Sequence, residues 1–388
     1  MLSFHPHLLA GCRHTDRAAL LSLYEALGGA DWKRNTNWSP DADPCNAATR
    51  FHGVGVRDPC DRWRDGEDCA VGRVTSLYLE DNQLQGDLGN WSAIGALSNL
   101  SFASLSWNEM EGTLPTELGQ VRNLEVLDMA HNRISGTIPV EIATPSGLVG
   151  DSALREVRLS HNSLSGVLPS LLFSDHVALE ALDVRSNELS GTVPWTALGP
   201  AMDTIHMAQT RVSGTLPPII SALTKLTVLD TTGGGISGTL PTQLGDLARL
   251  NALRLSGNAL SGSIPDEIGK LVTLRSLLLA DNALTGPLPQ TLGELQSLET
   301  LDVFNNSMGG EVPPGISALA NLQYLYLDHE HLRPLRQRYC RQRLPNLGKY
   351  NYRIVRDDYK QMVAMECDQM HSTAFTFNSL QQSGSYDT

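Results

Sequence analysis

Aromatic residues are scarce in this chain, 6% of it, so a core must be assembled from aliphatic side chains, and Leu dominates. A surplus of basic residues is also lacking. Against 42 Asp and Glu stand 29 Lys and Arg, a formal charge of -13, which disfavours a general nucleic-acid binder because neutralising phosphates requires excess cations. No apolar run approaches the roughly 18 to 20 residues that cross a bilayer, so no membrane span is expected. The first eleven residues carry no Lys or Arg, and their apolar stretch is broken by His5, Pro6 and His7, which makes a poor signal peptide. A GxSxG elbow, an HExxH helix and a phosphate loop with its Lys are missing too. With no cluster of acid, base, nucleophile or metal ligands, the expectation is a non-enzymatic protein without cofactor or metal. His329-Glu330-His331 invites a metal on one strand face, but it coincides with the worn end of a repeat and is better read as that.

What the chain has in abundance is self-similarity. LEVLDMAHNRISGTIP from Leu124, LNALRLSGNALSGSIP from Leu250, LRSLLLADNALTGPLP from Leu274 and LETLDVFNNSMGGEVP from Leu298 are copies of one unit. Its Asn falls at Asn82, Asn108, Asn132, Asn162 and Asn187, is replaced at Thr210 and Gly234, returns at Asn258, Asn282 and Asn306, and ends at Glu330. The spacing stays near 24 residues except around Ala143 to Gly150, where Pro145, Ser146 and Gly147 predict a loop insertion. Each unit must be one coil of a solenoid. In Leu127-Asp128-Met129 and its equivalents the flanking apolar residues point inward and the middle one outward. Stacking the coils then predicts a parallel sheet on a concave side. The Asn amide is positioned to bond backbone groups that the following turn leaves unpaired inside, and the later Gly and Pro turn the chain towards an outer segment.

The unit LxxLxxLxLxxNxLxGxIP resembles the plant-type leucine-rich repeat known from receptor-kinase ectodomains and polygalacturonase-inhibiting proteins, over about Val74 to Leu332. The resemblance implies an α/β repeat solenoid, a leucine-rich-repeat right-handed superhelix with a parallel concave sheet and disulfide-tied caps. The organisation expected is an N-terminal helical cap over 1–73, eleven repeats over 74–332, and a basic C-terminal cap and tail over 333–388. In the first cap, DRAALLSLYEAL from Asp16 predicts an amphipathic helix, followed by Trp32, Trp38 and Phe51. Where similar caps carry a Cys after the Gly-Val pair, Val56 stands here.

Six Cys all lie outside the repeats, which suggests disulfides and an oxidising compartment; zinc would want closer pairs. The family caps imply Cys12 with Cys45, and proximity suggests Cys60 with Cys69 and Cys340 with Cys367. Asn37, Asn90, Asn99 and Asn305 begin N-x-S sequons, candidate glycosylation sites. An extracellular or cell-surface location is expected.

The outward residues of the strands are the candidates for function, because the scaffold does not dictate them. They supply Tyr78, Asp128, Arg158, Asp183, His206, Asp230, Arg254, Asp302 and Tyr326 in the central column, Arg185 and Phe304 two residues further on, Trp107 and His131 in the next column, and Tyr324 at the far end. The large side chains are expected to dominate ligand binding, although Arg158 and Arg254 stand where they would pair with Asp128, Asp183 and Asp230. A column of Thr113, Thr137, Thr192, Thr215 and Thr239 after the repeat Gly invites an ice-binding reading, but Thr also simply suits a second short strand. Leu332 to Arg356 holds eight Lys and Arg without an acid, so Arg336, Arg338, Arg341 and Arg343 are candidates for a polyanion or for the chain's own acidic body. The resulting expectation is a recognition protein for a protein, peptide or polysaccharide ligand, with a co-receptor or self-assembly as further partners. The alternative is a structural or assembly protein of a cell wall, surface coat or filament.

Overall fold

The computed structural model describes residues 14–42, 51–57, 73–143, 153–173, 179–327 and 332–333. The insertion expected near Ala143 to Gly150 lies largely outside this set. So do all six Cys, the four candidate polyanion-binding Arg and the His329-Glu330-His331 run.

Leu at alternate strand positions and the roughly 24-residue period produce a solenoid. Its long sheet has twelve strands, in the order in which they occur along the chain. The first, Val54–Arg57, runs antiparallel to Arg73–Tyr78, and every later strand, from Phe102–Ser104 to Tyr324–Tyr326, joins in parallel. That antiparallel strand was not foreseen from the sequence. It covers what would otherwise be an open edge of unpaired backbone groups. At about 4.8 Å per strand the eleven parallel strands extend for about 50 Å.

Leu77, Leu127, Leu182, Leu253 and Leu301 at the strand centres are fully buried, as are Leu79, Leu105, Leu159, Leu255 and Leu279 two positions later. They form one continuous aliphatic core from the N-terminal helix to Leu322. Each such side chain contributes on the order of 1.5 to 3 kcal/mol. After the repeat Pro the chain makes a single 3₁₀ turn, as in Thr116–Gln120, Thr242–Asp246, Asp266–Lys270 and Gln290–Glu294. Pro cannot continue a hydrogen-bonded ladder, and it presets the backbone for such a turn.

The Asn column holds the coils together. Asn108 Oδ1 accepts the N–H groups of Asn82 (2.9 Å) and Leu84 (3.0 Å), while its Nδ2 donates to the carbonyls of Leu79 and Leu105 at 2.9 Å. Asn282 repeats this between coils, taking the Leu260 N–H at 3.0 Å and donating to Leu255 O at 2.9 Å. Thr210 supplies a single bond, from Oγ1 to Met207 O at 2.7 Å, and Gly234 has no side chain to offer. Next to it Thr231 occupies an inward Leu position, and its hydroxyl is fully buried without a partner.

A second, eight-stranded parallel sheet, from Ser135–Gly136 to Ser307–Met308, runs along the flank. It accounts for the Thr column. Gly136 sits at φ 76°, and a Cβ there would stand 2.8 Å from Thr113 Cγ2. Thr of one coil therefore packs over the Gly of the next, and the Ser between them bond backward, as Ser213 Oγ does to Gly191 O at 3.2 Å.

The helix His14–Ala26 buries Ala19, Leu20 and Leu23 against the first coil, continued by the buried Leu27 just past its end. Its fully buried Asp16 accepts the Val74 N–H at 3.1 Å and Arg73 Nε at 3.0 Å. Trp32 and Trp38 meet edge to face at 4.9 Å, and Trp38 packs against Phe51 at 4.7 Å. Tyr24, Trp32, Trp38 and Phe51 thus gather where the repeat core has to be closed.

Candidate recognition face

The strand-centre column places its residues side by side in register: Asp128 beside Arg158, Arg158 beside Asp183, His206 beside Asp230, Asp230 beside Arg254, and Leu278, Asp302 and Tyr326 in succession. Most of these charges are satisfied within the sheet. Arg158 reaches Asp128 at 3.6 Å and also contacts Glu156. Arg254 reaches Asp230 at 3.7 Å, with His206 Nδ1 3.9 Å from the same carboxylate.

Two expectations need correction here. Asp183 is held not by a neighbouring coil but by Arg185 two residues on, which straddles it with Nη2–Oδ2 at 2.8 Å and Nε–Oδ1 at 3.1 Å. The side chains of a strand point the same way every second residue, so this pair forms locally. Asp230 is not an outward ligand group, since it is only 6% exposed. Burial opposes its ionisation, but His206, the Thr232 backbone and Arg254 together hold its carboxyl below the usual value.

The rings behave differently. Just before each repeat Asn the backbone turns left-handed, a conformation that elsewhere in the column suits Asp281, Asn305, Ser186 or Gly257. In three consecutive coils that position holds Trp107, His131 and His161 at φ 58°, 56° and 55°, at a cost on the order of 1 to 2 kcal/mol for each side chain. The coil spacing stacks them. Trp107 lies 3.6 Å from His131 with planes 12° apart, and His131 lies 4.1 Å from His161 at 13°. Burial in this stack, and next the charge of His161, push the His131 imidazole below its ordinary value. The stack therefore favours a neutral His131 ring. Trp107 stays 62% exposed. Nearby on the same face Tyr78, 47% exposed, packs on Phe102 at 4.9 Å.

At the other end of the face stand Phe304, Tyr324 and Tyr326, of which Tyr324 is 39% exposed. Between them Asp302 is turned by a bond to Oδ1 from the Phe304 N–H at 3.1 Å. Burial and the neighbouring Asp281 raise its carboxyl above the ordinary value against the effect of that bond, burial being the larger cause.

Phe102 and Glu156, at the first strand position, also belong to this face, as does His161. His161 shares a sequence column with Trp107 and His131, a signal that stacking converts into contact. Among the described residues no group of three His, Cys, Asp or Glu is placed to hold a metal, and no helix is long and apolar enough to cross a membrane. The sequon residues Asn37, Asn90, Asn99 and Asn305 are all exposed. Asn305 also donates to Asp281 at 2.8 Å, so it lies on the edge of the recognition face.

The family profile described as Leucine Rich Repeat matches residues 123–144, 153–174, 249–271 and 297–319. A probable inactive receptor kinase of Arabidopsis thaliana is 33% identical over 105 residues, which is 27% of this chain and 13% of that protein. Among solved structures, the plant peptide hormone receptor RGFR1 in complex with RGF2 is similar at 25% identity and a TM-score of 0.53, over 73% of this chain and 55% of that one. The HAESA ectodomain of Arabidopsis, in complex with an N-terminally extended IDA peptide hormone, gives 25% identity and 0.51 over 72% and 53%. A plant ice-binding protein gives 24% and 0.58 over 78% and 89%, a likeness in fold alone. The chain thus spans about half the length of these two receptor ectodomains and 13% of the curated relative.

Proposed function

From a chain that carries leucine-rich repeats and folds as a solenoid like those of plant receptor ectodomains, we propose a non-enzymatic recognition protein that binds a peptide or protein segment along the face of its long sheet. An extracellular or cell-surface setting goes with this reading, supported by similarity to receptors whose structures hold peptide hormones. The observation that carries it is the exposed Trp107–His131–His161 stack. A solenoid gains nothing in core packing from ring-bearing residues at three consecutive left-handed positions, and Trp is among the residues enriched at binding hot spots. The neighbouring Asp128, Asp183 and Asp230 already have cations beside them, so around the stack the rings are the groups best placed to supply binding energy. The approximately 50 Å face suits an extended segment or one flank of a folded partner.

The test is selection of a displayed random peptide library on the intact protein, followed by substitution of the face. Trp107→Ala and Tyr326→Ala should each weaken the selected peptides by about 1 to 3 kcal/mol. Ile219→Ala and Val272→Ala, exposed near the 3₁₀ turns, should leave them unchanged. Equal losses on both sides would reject the face as the site.

A further inference from the structure

Four Asp occupy the centre column of the long sheet, and the solenoid treats three of them alike. Asp128 has Arg158, Asp183 has Arg185, and Asp230 has Arg254 and His206 within 4 Å. Asp302 has no cation at that distance among the described residues. Its register neighbours are Leu278 on one side and Tyr326 on the other, where the other three have an Arg or His within reach. Two residues on, on the same side of the strand, stands Phe304.

We propose that Asp302, framed by Leu278, Phe304 and Tyr326, is a subsite that takes a Lys or Arg side chain of a peptide ligand. This inference rests on the peptide-binding reading above and names the chemistry of one contact within it.

The geometry favours a cation over other partners. A half-buried carboxylate fixed by the Phe304 N–H still has Oδ2 and a second lone pair on Oδ1 to offer. An ammonium or guanidinium supplies donors of opposite charge, and the faces of Phe304 and Tyr326 attract the same group through their ring quadrupoles. An anionic or purely apolar residue would leave the carboxylate buried and unpaired, which discriminates strongly against it. Among the described residues the groups bearing on Asp302 are Asp281, which repels a second negative charge, and the Phe304 N–H, which favours one, with Tyr326 its register neighbour in the next strand. A carboxyl already above its ordinary value in the free protein is what an unfilled cation subsite should show.

The experiment uses the full chain and peptides selected on it from the random library. Those peptides should share a Lys or Arg, and exchanging that residue for Gln should weaken binding about 10- to 100-fold. Asp302→Asn keeps the size of the side chain and an acceptor for the Phe304 N–H. It should reproduce that loss with the cationic peptide and add little with the Gln peptide, whereas Asp246→Asn, an exposed acid on the 3₁₀ turn Thr242–Asp246 away from the face, should change neither appreciably. Affinity should also fall as pH is lowered through the Asp302 titration, followed by its carboxyl carbon resonance. Additive losses would overturn the proposal, as would selected peptides that depend on Trp107 but carry no shared cation; in that case the recognition face itself stands. Peptides insensitive to both Trp107→Ala and Asp302→Asn, or no selected peptides at all, would reject the face and this subsite with it. An Asp302 carboxyl titrating below its ordinary value in the free full chain would also overturn it, because the carboxylate would then already be stabilised without a ligand.

Discussion

Replacing Asn108 by Ala measures how much of the solenoid depends on one amide. The substitution removes both bonds to Oδ1, leaving the N–H groups of Asn82 and Leu84 without that acceptor, and it takes a donor from Leu79 O. Leu105 O keeps a second bond, from Asn132 Nδ2 at 3.1 Å, and is not stranded. Three buried groups at about 1 to 3 kcal/mol each, reduced by local relaxation and entry of water, give a loss of about 3 to 5 kcal/mol. Thr210→Ala is the matched control, because it removes one bond, to Met207 O, and should cost about 1 kcal/mol. Urea unfolding of both variants gives the comparison. Repeat arrays lose cooperativity when one coil is weakened, so amide exchange at Leu84 should be followed in parallel and should accelerate in Asn108→Ala. If the two variants were destabilised equally, the Asn column would be a feature of sequence without the structural weight assigned to it.

Asp302→Asn should raise stability at neutral pH. A carboxyl whose folded value lies above its unfolded one opposes folding once ionised, so the gain should disappear as pH falls below the ordinary carboxylate range; thermal unfolding at several pH values checks this. Asp230 carries the opposite sign: its lowered value contributes stability above the ordinary carboxylate range that is lost as pH falls through the folded value. Asp230→Asn should therefore destabilise at pH 7 and matter little near pH ~2, as read by the same melts. The His131 imidazole, held below its ordinary value, makes the ring stack lose stability as pH falls below that ordinary value. His131→Phe, which stacks without titrating, should retain the stability that the wild type loses between about pH 7 and 5. Hydrogen exchange should be faster around Gln209 to Gly235 than around Gly257 to Asn282, because Thr210 and Gly234 interrupt the amide column; equal protection would refute this.

The 24-residue recurrence of Leu and Asn determined the solenoid, its parallel sheet and the inward or outward sense of the residues in the repeat strands, because a coil of that length can bury its Leu only against copies of itself. That spacing alone puts Trp107, Arg158 and Tyr326 on one face. Sequence could not decide which of those residues were free. Whether Arg158 bonds Asp128 or Asp183, whether Asp183 turns instead to Arg185, and whether Asp230 is sealed beneath its neighbours depend on side-chain reach across strands a few ångströms apart, which no spacing along the chain encodes. The same is true of the rings: a column containing Trp107, His131 and His161 becomes a stack only because three successive left-handed turns aim them along one axis. Asp302 stands out for the converse reason. Its letter matches the other three Asp of the column and its neighbours Leu278 and Tyr326 follow from the repeat spacing, but that no cation of the described residues reaches it from another column, as Arg185 reaches Asp183, is decided by the tertiary structure.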